Sequence, residues 1–170
     1  MGRFRMTAES QTAQAAGVPS GTTFNGYFAA VMAGSAANFK LRRLWIGARA
    51  GASVPTSQQM SIRAYRQTVA VGGTGFTLTA GVNMDPRGAA SAIGGLGITT
   101  AAAAGTTGPT IGANALDEWS FNTQSGLDIP YEFLEEFICD QGTANGLALV
   151  NFGNALPPSH LFTVAAEWEE

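Results

Sequence analysis

Cysteine and histidine are almost missing from this 170-residue chain: Cys139 and His160 are the only examples of either. One thiol cannot make an intrachain disulfide, a zinc ribbon or a redox pair, and one imidazole excludes every site built on two, the helical pair of a zinc protease included. Charge is scarce too, at 12% of residues, about half the share in an average soluble domain. Little then opposes self-association, and a subunit of an assembly is a better expectation than a free monomer. No stretch reaches the ~20 uninterrupted apolar residues of a spanning helix, so no membrane partner is expected. The basic start, Met1-Gly2-Arg3-Phe4-Arg5-Met6, runs into no apolar signal region, and Met6 stands where a myristoylation signal needs Ser or Thr.

What is present is 45% hydrophobic residues, 22 glycines and much Ala and Thr. The length suits one domain that buries roughly 70% of the surface its unfolded chain exposes. The formal net charge of −3 hides a separation. Up to Arg66 there are eight basic residues against Glu9 alone, a net of +7; from Asp117 onward there are ten carboxylates and no Lys or Arg, a net of −10. Either N-terminal strands lie beside C-terminal strands in one sheet and the charges meet across the ladder, or the two ends face different neighbours. Nucleic acid is not an expected partner, because the basic half has no aromatic-interleaved stripe or recognised motif.

Patterning predicts an all-β chain, an antiparallel β-sandwich of jelly-roll type, with an extended arm over residues 1–22 and one sandwich domain over 23–170. Strands are expected at Thr23 to Val31 and at Phe39 to Ala50. Within the second, Phe39 and Leu41 share one parity while Leu44 and Ile46 share the other, which predicts a bulge near Arg42-Arg43. Met60 to Val71 alternates, and Phe76 to Ala80 is expected to be its hairpin partner. Asp85 to Ser91 predicts a short helical turn with Asp85 as its cap, and Gly94 to Gly112 a long Ala/Gly-rich loop. Leu116 to Asn122 alternates again, with Trp119 and Phe121 on one face. Tyr131 to Cys139 fits a strand or a helical stripe; strand is the preferred reading, paired as a hairpin with Gly146 to Phe152. His160 to Trp168 is the last strand.

Residues able to carry chemistry are few, and no catalytic, cofactor or metal residue is expected. Ser159-His160 are neighbours at the start of a strand, where side chains diverge, so a cap is expected rather than a nucleophile and base. Glu135 and Glu136 would also point apart on a strand, against the paired carboxylates of a glycosidase. Asp117, Glu118 and Asp128 match no calcium loop. Gly72-Gly73-Thr74-Gly75 and Gly94-Gly95-Leu96-Gly97 lack dinucleotide or phosphate-loop spacing and read as turns. Trp45, Tyr65, Trp119 and Trp168 are expected in core or interface more than on sugars.

At Leu41 to Gln59 (LRRLWIGARAGASVPTSQQ), Phe121 to Glu136 (FNTQSGLDIPYEFLEE) and Gly146 to Glu170 (GLALVNFGNALPPSHLFTVAAEWEE) the sequence resembles small virion structural proteins of tailed bacteriophages, particularly those infecting actinobacteria. The resemblance implies a minor capsid or decoration (cement) protein on the outer surface of the capsid. Its partners would be the major capsid protein and its own copies, as a homo-oligomer with three copies preferred. Arg3, Phe4, Arg5, Arg42 and Arg43 are then the candidate contacts to capsid or sibling surfaces. A tail-associated or fibre-like adhesin using the Gly94 to Gly112 loop, and a carbohydrate-processing enzyme on the same sandwich, are the competing readings.

Overall fold

A computed structural model describes residues 2–10, 26–51, 54–68, 76–99 and 110–170. Among these residues the chain forms strands and no helix: β1 (Arg3–Glu9), β2 (Tyr27–Met32), β3 (Phe39–Ala50), β4 (Gln59–Gln67), β5 (Phe76–Thr79), β6 (Val82–Asn83), β7 (Gly95–Thr99), β8 (Asp117–Asn122), β9 (Leu127–Pro130), β10 (Ile138–Cys139), β11 (Gly146–Asn151) and β12 (His160–Glu169). Two antiparallel sheets result. The first runs β10-β3-β12-β1-β6, with β9 also on β3; the second runs β5-β7-β2-β11-β4-β8. With β5, β6 and β7 set aside as extensions beyond β2 and β1, and β10 as an addition to the β3 edge, the order β1-β12-β3-β9 in one sheet and β2-β11-β4-β8 in the other is that of a jelly roll. The expected sandwich is the observed fold.

Alternation places the core. Leu44, Ile46, Phe162, Val164 and Trp168 of the first sheet meet Phe28, Ile62, Leu147 and Leu149 of the second. Phe28 and Phe162 stack between the sheets with ring centroids 4.2 Å apart. A second apolar cluster occupies the other face of the second sheet, where Tyr27, Ala30, Met32, Tyr65, Ala148 and Val150 are all buried. β2 and β11 are therefore buried on both faces, which suits their nearly unbroken apolar sequences YFAAVM and GLALVN.

The bulge falls where parity placed it. Trp168 pairs with Leu41 and Glu167 with Arg43, which leaves Arg42 as the extra residue and returns Phe39, Leu41, Leu44 and Ile46 all to the core.

Five expectations are corrected, the first being the long Gly94 to Gly112 loop with its Gly94-Gly95-Leu96-Gly97 turn, because Gly95–Thr99 is strand β7 between β5 and β2. Residues 3–9 are not a free arm but β1, paired along its whole length with β12 and at Phe4 and Arg5 with β6. Phe4, Met6 and Ala8 alternate with Arg3, Arg5, Thr7 and Glu9, and that period of two docks the segment on the core; residues 11–22 of the expected arm lie outside the described residues. β5 is not the hairpin partner of β4: β5 pairs with β7 at one edge, while β4 lies between β11 and β8. Alternation marks a strand without naming its neighbour. Of Tyr131 to Cys139 only Ile138–Cys139 is strand. Nor does that segment form a hairpin with β11, since β10 belongs to the first sheet and β11 to the second. The expected cap at Asp85 is present: Asp85 to Gly88 makes a single turn, closed by the Gly88 amide donating to the Asp85 carbonyl and capped by the Asp85 carboxylate on the Arg87 amide.

Candidate functional site

The basic and acidic halves meet inside the chain. On the outer face of the first sheet Arg3 pairs with Glu167, Arg49 with Glu9, and Arg43 holds Asp128 with two bonds of 2.8 and 2.6 Å. Arg42 reaches Glu169 at 2.6 Å and also pairs with Glu136. Arg63 pairs with Glu118 across β4 and β8. Because β12 is the central strand between β1 and β3, its Glu167 and Glu169 have arginine-bearing neighbours on both sides. The exposed pairs among them, Arg43–Asp128 and Arg49–Glu9, are screened by solvent and each contributes little on its own. Asp128 is held below the usual carboxylate range, first by its bonds from Arg43. Glu136 is lowered by its own backbone amide, then by the amide of Leu134 and the charge of Arg42.

The five candidate contacts are largely committed internally. Phe4 is 3% exposed and stacks on Trp168 at 6.3 Å, so it is a core residue rather than a surface contact. Arg3, Arg42 and Arg43 are in the ion pairs just described. Arg5 lies over the Trp45 ring at 4.5 Å, with Arg43 over the same ring at 4.7 Å. Each stacking contributes ~0.5–1 kcal/mol at an exposed site. Trp45 thus lies on the outer face, whereas Trp168 is in the core, Trp119 packs against it, and Tyr65 belongs to the second cluster.

The remaining candidates are dispersed or already engaged. The His160 ring is buried; its Nε2 accepts the Thr56 amide at 3.1 Å and its Nδ1 lies 3.1 Å from the Pro158 carbonyl, which assigns the proton to Nδ1. It ties two loops together. Glu118 and Asp128 pair with different arginines on different sheets, and no group of three His, Cys, Asp or Glu side chains gathers among the described residues. Gly95, at φ +97, lets β7 approach β5: a Cβ there would meet the Thr79 carbonyl oxygen at 2.1 Å. Gly72 to Gly75 and residues 100–109 of the long loop lie outside the described residues. Burial pushes the Cys139 thiol up to about 11.

One feature was not legible as a site: the excursion between β9 and β10. The chain leaves the β3 edge after Pro130 and rejoins it at Ile138, anchored by the Tyr131 amide on the Arg42 carbonyl and the Leu41 amide on the Phe137 carbonyl. Tyr131 and Phe137 pack edge to face at 5.2 Å and close its root. At its tip the Glu135 amide donates to the Glu132 carbonyl at 3.0 Å, making a turn with Phe133 and Leu134 at its centre. Leu134 has φ 74, the positive value a type II turn needs at its third position, where Gly or Asn is usual. Holding leucine there costs ~1–2 kcal/mol. Glu136 secures the turn by accepting the Leu134 amide at 2.7 Å while it holds Arg42. Phe133 and Leu134, at 73% and 82% exposure, form an apolar fingertip on a fixed base. The signal in the sequence was the run Tyr-Glu-Phe-Leu-Glu-Glu after Pro130, whose adjacent Phe and Leu break alternation.

No family model matches the chain, and neither the curated proteins nor the solved structures contain a match to it.

Proposed function

We propose that the protein is a virion structural protein that decorates and cements the outer surface of a bacteriophage capsid by binding the major capsid protein and its own copies. The observation that carries this reading is the jelly-roll winding in which the first and last strands lie side by side and most charges are paired within the chain. Such a subunit presents a rigid, sparsely charged surface. Cementing a shell asks for many weak contacts repeated over a lattice rather than one reactive group. Further support comes from the segments that resemble phage virion proteins. They supply most of β3, the end of β8, β9, most of the excursion after β9, β11 and β12. Nucleic acid, membrane, cofactor and catalysis have no part in the proposal.

Purified particles of the phage that encodes the chain provide the test. Cryo-electron microscopy with the subunit labelled should locate it on the outer face of the head. Heads stripped of it should melt at lower temperature and recover when it is added back. A hollow of about 200 Å3 beside Trp45, walled by Thr7, Thr163 and Ala165, favours one alternative, a tail-associated adhesin in which an aromatic edge and hydroxyls meet a host surface. Label on the tail would establish that alternative against decoration. Particles lacking the protein would overturn both.

A further inference from the structure

The ion pairs leave a specific remainder. Of the nine basic residues, Arg3, Arg42, Arg43, Arg49, Arg63 and Arg87 pair with carboxylates, and Arg5 stacks on Trp45. The other two, Lys40 and Arg66, both lie at β10. Lys40 is the register partner of Ile138, and the Arg66 guanidinium donates to the Ile138 carbonyl at 3.2 Å. Glu132, Glu135 and Asp140 flank the same place and form no ion pair among the described residues. Between these opposite charges stand Phe133, Leu134 and Ile138, the last 45% exposed. One edge of the first sheet therefore carries an apolar centre rimmed by groups of both signs that form no ion pair among the described residues.

We propose that this β9–β10 edge is a two-fold self-association surface whose occupant is a second copy of the chain. In a two-fold contact each residue of one copy meets on the other the residue that it is itself met by, so a patch holding both signs can neutralise itself. Glu132 and Glu135 of one copy face Lys40 and Arg66 of the other, with the fingertips packed between them. The left-handed leucine supports a built feature, because backbone strain is held where a side chain must be presented. Strand addition is not the mode: β9 and β10 are short and interrupted by the excursion, which blunts the edge for backbone pairing. The inference deepens the self-binding half of the proposed function and stands without its virion half.

The test uses the full chain in sedimentation-velocity ultracentrifugation over a range of concentrations, with circular dichroism checking the fold. Wild type should dimerise, and Leu134→Gly, which removes the side chain while relieving the positive φ, should weaken the dimer by about tenfold or more without lowering the melting temperature. Phe133→Ser/Leu134→Ser should do the same. Glu132→Lys/Glu135→Lys and Lys40→Glu/Arg66→Glu should each dimerise poorly alone, yet form a mixed dimer together, because every charge contact is restored between them. A wild type that stays monomeric, a dimer indifferent to Leu134→Gly, or charge variants that do not complement each other would overturn the proposal. None of these outcomes depends on where the protein sits in a particle.

Discussion

Arg42 holds Glu136 across 94 positions of sequence, and this one contact joins the bulge of β3 to the turn that presents Phe133 and Leu134. The bulge makes it possible. As the extra residue, Arg42 is released from the ladder and sends its guanidinium to Glu136 on one side and Glu169 on the other, while the flanking leucines stay in the core.

Acid should loosen this arrangement. The Glu136 and Asp128 carboxyls are both lowered in the folded chain, so their stabilisation is complete above the unfolded values of 4.5 and 3.8 and is lost as pH falls through the folded ones. Thermal melts should show a midpoint that drops as the pH goes below about 4.5. Glu136→Gln should have a lower midpoint at pH 7 and a shallower fall in acid. An unchanged acid profile in Glu136→Gln would remove Glu136 from the account.

Phe4 tests whether the first strand belongs to the fold. Phe4→Ala empties a buried site against Trp168 and should cost about 3–5 kcal/mol in urea denaturation. A free arm would leave the midpoint where it was.

Cys139 should be a silent thiol in the native protein. Burial raises its pKa to about 11, and the thiolate is the reacting species, so labelling by a thiol reagent at pH 8 should be slow and should rise to the free-cysteine rate in denaturant. Fast native labelling would contradict the packing of β10 against β3.

Legibility in the sequence followed burial on one face. β3, β8 and β12 show their alternation because one face meets the core and the other meets solvent or paired charge, and the bulge was visible as a change of parity. β1 was obscured by its Thr- and Ala-rich surroundings, although Phe4, Met6 and Ala8 keep the period. The excursion after Pro130 read as a strand because its residues are aromatic and apolar. Only the Arg42 anchor and the positive φ of Leu134 turn those residues outward.

The composition and patterning alone determined the all-β class and the absence of a cysteine pair or a two-histidine site. They also determined the separation of charge into a basic first part and an acidic last part. Partnership was the work of tertiary structure. Side-chain alternation marks one face of a strand, but which strand lies next to it is set by chain crossings between sheets, and so β5 went to β7 and β10 to β3. The same crossings placed β12 between β1 and β3, where the two halves of the charge neutralise each other within one chain, and left Lys40, Arg66, Glu132 and Glu135 without an ion pair among the described residues, around an exposed apolar tip.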